Sequence, residues 1–303
     1  MGTLYIIGNG FDLNLNLKTK PKHFLDCLKK QLVYGEVDNA FEVLGYYVDG
    51  WHEYEQALNR LDLNEIESRN EIQPDYLSDH ESDRDCGILN MQMYVDGLST
   101  ALNGALEQMV KNANKDIRRL KAISGKRKLF HKSDAILTFN YTSAIEHLFF
   151  IPPNVPIFHV HGCYESGERL IFGYKENENS YDRSWPSVDE NNWDYYIAQQ
   201  RNAVYAFYEH WRKPLQIDQL RKFLLECHSI TNVIVLGHSM GSVDAEYMEE
   251  IEKEICPRTW RISYYKTNDI EHIRSMGYTF ASKISFETME ALMEADHDGK
   301  SID

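Results

Sequence analysis

The chain alternates short apolar runs with segments of helical spacing. Thr3 to Ile7 is apolar and ends in Gly8-Asn9-Gly10-Phe11-Asp12, the pattern of a buried strand closed by a glycine turn. Phe24, Leu25, Leu28 and Leu32 then recur at helical spacing within 22–34. A second helical pattern runs through 36–60 around Trp51, Tyr54 and Leu58. Residues 62–85 hold nine Asp and Glu against Arg69 and Arg84 alone, which predicts an exposed loop or solvated face. Ile88, Met91, Val95, Leu98, Leu102, Ala105, Met109 and Ala113 keep steps of three or four, the stripe of a long helix facing a core.

Strand patterns return at Ala135 to Phe139, at Ile157 to Gly162 and at Leu170 to Gly173. Between the first two lies a helical segment, 144–150, broken by Pro152, Pro153 and Pro156. Residues 174–194 are polar and aromatic and read as loop; 202–211 and 215–225 read as helices. Thr231 to Leu236 is the clearest buried strand, followed by a helix over 243–255, a last strand over 260–265 and a helix over 270–276. Short apolar strands separated by helices predict an α/β fold with a Rossmann-like parallel sheet. Its expected extent is 1–35 with 126–303, and 36–125 is expected as a mostly helical insertion after the first strand.

Composition narrows the functional classes. The 303 residues carry 32 Lys and Arg against 47 Asp and Glu, a net charge of −15. That balance disfavours non-specific duplex binding, a local basic patch aside. The five cysteines show no C-x-x-C spacing, so reduced, buried thiols are expected and no zinc ribbon. The first residues lack a basic segment and a long apolar core, and no apolar run approaches the roughly 20 residues of a membrane span. A cytoplasmic protein without a membrane partner is expected.

In parallel α/β sheets ligands bind at the carboxyl ends of strands. Four such ends here are polar: Gly8 to Asp12, Asn140-Tyr141-Thr142, His159-Val160-His161-Gly162 and Gly237-His238-Ser239. Gly8 and Gly10 form a Gly-x-Gly turn without a third glycine, which suits either close approach to a phosphate or a tight strand-to-helix turn. Asp12 is placed to bind a ribose hydroxyl or a neighbouring amide. His159 and His161 are two apart and are expected on one face, as a base with a supporter or as hydrogen-bonded structural histidines. No carboxylate stands at a diagnostic spacing from them, so no metal is expected. Gly237-His238-Ser239-Met240-Gly241 matches G-x-S-x-G, the nucleophile-elbow pattern, with His272 and His297 downstream. The other reading is a glycine turn whose Ser239 touches a ligand.

Together these segments resemble the AbiH family of bacteriophage abortive-infection proteins. The resemblance rests on Leu4 to Leu13, Trp51-His52-Glu53-Tyr54-Glu55, Thr138 to Thr142, His159 to Gly162, Ile171-Phe172-Gly173 and Gly237 to Asp244. AbiH-type sequences in turn look like distant relatives of sirtuin-like domains. The resemblance implies a phage-defence effector that binds a nucleotide such as NAD and cleaves its N-glycosidic bond. It places Asn140 and His161 in catalytic positions. It places Gly8, Asn9, Gly10, Phe11 and Asp12 in the first nucleotide-binding turn, and Gly237, His238, Ser239 and Asp244 in a late ribose-side loop. NAD would be substrate, with no further cofactor required. Implied partners are the nucleotide, a phage-derived or nucleic-acid trigger, and further copies of the chain in a homo-oligomer. The first turn departs from the Gly-Ala-Gly-x-Ser form of sirtuins, and their four-cysteine zinc site is missing. The alternatives are a nucleotide sensor that turns nothing over and a serine hydrolase using Ser239.

Overall fold

The computed structural model describes residues 2–34, 44–45, 48, 50–75, 77–175, 195–227 and 229–298. Part of the second helical pattern, 36–43, and most of the loop expected over 174–194 lie outside these residues. In chain order the elements begin with β1 (Gly2–Ile7), α1 (Asn9–Asn14), α2 (Pro21–Tyr34), α3 (Trp51–Asn59), α4 (Leu63–Asn70) and α5 (Glu81–Ser124). There follow β2 (Arg127–Lys128), β3 (Ala135–Thr138), α6 (Ala144–Leu148), β4 (Phe149–Phe150), β5 (Ile157–His159), α7 (Tyr195–His210) and α8 (Ile217–Glu226). The chain continues with β6 (Ile230–Leu236), α9 (Ala245–Ile255), β7 (Thr259–Tyr264), α10 (Thr267–Ser275), β8 (Ile284–Thr288) and α11 (Met289–Asp298).

Two compact units form. The first comprises Met1–Lys20, Met109–Ile171 and Pro214–Asp303. Its six-stranded sheet has the order β5-β3-β1-β6-β7-β8, and every neighbouring pair is parallel. In order along the chain this is 3-2-1-4-5-6, the doubly wound Rossmann arrangement. The register sets Leu4 beside Ala135 on one side and Val233 on the other. All six residues of β1 are buried, because helices cover both faces of a parallel sheet. Successive side chains alternate between two cores. One holds Leu4, Ile6, Leu137, Val233 and Val235 under Phe223 of α8 and Tyr247 and Ile251 of α9. The other holds Tyr5, Ile7, Ile136, Ile234 and Leu236 under Phe11, Ile117, Ile145 and Leu292. A fully buried Leu, Ile or Phe contributes about 1.5–3 kcal/mol, so strand burial dominates the stability of this unit.

The second unit comprises Pro21–Gln108 and Phe172–Lys213. It covers 36–108 of the insertion read from sequence and adds α2 and α7, whereas 109–125 fall in the first unit. Long-range polar ties join those pieces. The Gln200 amide accepts from Ile72 N–H at 3.0 Å and donates to Ile72 O at 2.8 Å. Tyr208 Oη donates to Asn59 O at 2.8 Å, and Lys213 Nζ to Glu55 Oε1 at 3.1 Å.

Three expectations are corrected. Leu170 to Gly173 is not a strand: Ile171 N–H instead donates to His161 O at 2.8 Å. The segment 62–85 is not all loop. Leu63–Asn70 is helical, capped by Asp62 Oδ1 accepting from Glu65 N–H at 3.1 Å, and it buries Leu63 and Ile66. The strand at 260–265 is not the last, because β8 pairs beyond it, Trp260 beside Ile284.

Candidate functional site

Because the strands are parallel, the loops following β1, β3, β5 and β6 emerge on one edge of the sheet. The strand order reverses between β1 and β6, the place where doubly wound sheets open a ligand crevice. The first turn and the β6 loop press together there. Gly8 N–H donates to Leu236 O at 3.0 Å and Gly10 N–H to Gly237 O at 2.7 Å. A Cβ on Gly8 would lie 2.5 Å from His238 Cα, and one on Gly237 2.1 Å from Phe11 N. Gly237 also has φ of +66°, open to glycine at little cost. The glycines of the opening turn thus serve backbone-to-backbone packing, and the Gly10 amide already has its acceptor. Asn9 lies partly buried in the first turn of α1.

The β3 loop joins this contact. Asn140 Nδ2 donates to Gly8 O at 3.0 Å, and Asn140 N–H to Thr138 Oγ1 at 3.1 Å. Asp12, 1% exposed, accepts at Oδ2 from Thr142 Oγ1 at 2.7 Å, so Thr142 occupies the role expected of a ligand hydroxyl. Its Oδ1 is buried with no hydrogen-bond partner among the described residues. Burial raises the Asp12 pKa to about 7, against the lowering effect of the Thr142 hydrogen bond and of the neighbouring Asn140 amide; Glu146 adds to the rise, and His159 opposes it.

His159 lies between Asn140 O, 3.1 Å from Nδ1, and Glu146 Oε1, 2.7 Å from Nε2. A carbonyl and a carboxylate both accept, so both ring nitrogens carry protons and the ring is an imidazolium. Burial opposes that charge, but the hydrogen bond and charge of Glu146 outweigh it and hold the pKa at about 8.

His161 faces elsewhere. Its buried ring meets Phe139 edge-on at 5.2 Å, and Nε2 lies 3.7 Å from Asp244 Oδ1. On the other side of the same carboxylate, His238 Nε2 lies 3.4 Å from Oδ2. Met240 N–H donates to His238 Nδ1 at 2.9 Å, which makes Nδ1 the acceptor and puts the proton of the neutral ring on Nε2, toward Asp244. The expectation that His159 and His161 share one face is therefore corrected. The strand ends at His159, and the turn at Val160 and His161 swings the second imidazole to the Phe139 side. Sequence reasoning brought Asn140, His161, His238 and Asp244 into its site. Thr142 stood in the Asn140-Tyr141-Thr142 strand end without a partner assigned to it, Phe139 only in the quoted run Thr138 to Thr142, and Glu146 in neither.

Ser239 is exposed on a loop, and α9 does not begin until Ala245. The residues with positive φ are Gly237 and Met240, at +66° and +51°, rather than Ser239. A nucleophile elbow needs its Ser on the strained strand-to-helix turn, and this loop lacks that geometry. Among the described residues no group of three or more His, Cys, Asp or Glu is placed to hold a metal ion. None of their helices is long and apolar enough to cross a membrane.

The sheet order and the polar cluster on its carboxyl edge define a Rossmann-like α/β protein with a candidate site at the switch point. The sequence model of the family described as bacteriophage abortive infection AbiH matches residues 4–264. The chain belongs to that family, and phage abortive infection is the function this supports. A comparison with curated proteins finds no match.

Proposed function

We propose that this abortive-infection protein binds a nucleotide such as NAD across the β1–β6 switch point and hydrolyses its N-glycosidic bond. The observation that carries the reading is the meeting of buried Asn140, from the β3 loop, and of the His161–Asp244 pair, from the β5 and β6 loops, at the point where the strand order reverses. In the reaction the bond from the anomeric carbon to the nicotinamide nitrogen breaks, and its electron pair leaves with the ring, which departs neutral. The anomeric carbon gains oxocarbenium character and forms a bond to water oxygen. The water proton passes to Nδ1 of His161, and Asp244 beside Nε2 stabilises the imidazolium that results. Asn140, its amide nitrogen donating to Gly8 O, presents its oxygen to orient the water or a ribose hydroxyl.

Incubation of purified protein with NAD, with chromatographic detection of nicotinamide, tests the proposal. The expected result is release matching NAD loss, reduced at least about 100-fold in His161→Ala and Asn140→Ala. NAD-dependent thermal stabilisation without product would leave a nucleotide sensor. The absence of both turnover and stabilisation would overturn nucleotide binding itself.

A further inference from the structure

The chain's charge is distributed unevenly. Residues 111–132 hold nine Lys and Arg and one acid, Asp116, in a protein of net charge −15. The remaining residues carry 23 Lys and Arg against 46 Asp and Glu, so a basic island sits on an otherwise strongly acidic chain. The fold turns the island outward. Ile117 is buried in the core beneath the sheet and fixes the inner face of α5. Lys111, Lys115, Arg118 and Lys121 follow one another at steps of four, three and three, a single exposed stripe on that helix. A helix dipole favours cations only in the last turn, so it does not account for Lys111 or Lys115.

Few of these charges are neutralised. Arg118 pairs with Glu165 at 2.7 Å and Arg119 with Asp116 at 3.1 Å. Among the described residues, Lys111, Lys115, Lys121, Arg127, Lys128 and Lys132 have no acidic partner at ion-pair distance, and all six are exposed. Immediately after α5 the strand β2 pairs with β4, setting Arg127 beside Phe149 and Lys128 beside Phe150. Phe149 is buried in the core, whereas Phe150 is 52% exposed. Register partners on adjacent strands share a face, so an exposed aromatic ring stands next to Lys128 at the end of the basic stripe.

Cations in a track, followed by a solvent-facing ring, are the combination that holds a single-stranded nucleic acid: cations for phosphates, an aromatic face for a base. We propose that this face, from Lys111 to Lys132 with Phe150, binds single-stranded nucleic acid. The proposal rests on this surface alone and stands or falls independently of the chemistry at Asn140 and His161.

Fluorescence anisotropy with labelled single-stranded and duplex DNA 20-mers, across a salt series, tests it on the full chain. Engagement of about five phosphates predicts a log–log salt slope of about −3 to −4 on the single strand. The fourfold variant Lys115→Glu, Lys121→Glu, Arg127→Glu, Lys128→Glu changes only exposed side chains. It should bind at least tenfold more weakly with a shallower slope, its folding checked by thermal melting. Phe150→Ala should weaken the single strand about fivefold or more and leave the duplex unchanged. No binding at 50 mM salt, or a fourfold variant that binds as tightly as the parent, would overturn the proposal. So would Phe150→Ala with no effect on the single strand, or capture by anionic vesicles of phosphatidylserine in place of DNA.

Discussion

Replacing Asp12 by Asn should stabilise the protein relative to the parent by an amount that grows as pH rises. Asp12 is buried, its Oδ1 has no hydrogen-bond partner among the described residues, and Thr142 gives Oδ2 one hydroxyl. Burial dominates, and the carboxyl's pKa rises from 3.8 to about 7. Between those values the folded protein holds a proton that the unfolded chain has released. Unfolding free energy therefore falls as pH rises across that window and levels off above pH 7. A rise of about three pH units at about 1.4 kcal/mol each costs the folded state about 4 kcal/mol at alkaline pH, about 3 of it between pH 5 and pH 8. Asn carries no charge and keeps an oxygen for the Thr142 hydroxyl. Urea titrations followed by circular dichroism and tryptophan fluorescence at pH 5, 6, 7 and 8 should show Asp12→Asn gaining on the parent by about 2–3 kcal/mol from the lowest to the highest pH. The His159 titration is common to both proteins and largely cancels in the difference. A variant that loses stability equally at pH 5 and pH 8 would refute the reasoning, because it would mean a well-solvated or fully paired Asp12.

Further consequences are open to direct measurement. The folded pKa of His159, about 8, lies above the unfolded value of 6.5; its contribution of about 2 kcal/mol is present below pH 6.5 and is lost as pH rises to 8 and beyond. Glu146→Gln should lower the midpoint of the His159 ring signal in a proton NMR titration by at least about one pH unit, and an unmoved midpoint would deny the pairing. Gly237→Ala should destabilise the protein by at least about 2 kcal/mol, since it adds a strained positive φ to a Cβ pressed on Phe11 N; a Tm within a degree of the parent would show that the two turns separate freely. A fluorophosphonate probe should leave Ser239 unlabelled, and labelling abolished by Ser239→Ala would restore the serine-hydrolase reading.

The centre of the sheet was legible because β1, β3 and the Val233–Leu236 stretch of β6 are buried on both faces and so are largely apolar runs, each closed by a polar or glycine turn. β8 was not, because an edge strand alternates: Ile284 and Phe286 interleave with Ser285 and Glu287. The membership of α7 in the second unit rests on side-chain bonds from Gln200 and Tyr208 to residues more than a hundred positions away, which no local periodicity records. At the site, polar residues at strand ends marked where chemistry gathers, since strand ends in a parallel sheet share an edge. Their partnerships depended on strand order and turn direction. The spacing of His159 and His161 suggested one shared face, yet the strand stops at His159 and the two rings answer to different carboxylates, Glu146 and Asp244.

Hydrogen exchange with and without millimolar ADP-ribose tests most directly that the reversal point between β1 and β6 is a nucleotide site. Slowed exchange confined to the amides of 8–12, 139–143, 160–162 and 237–244 is the expected result. Unchanged exchange in all four segments, or protection lying only elsewhere in the chain, would contradict it.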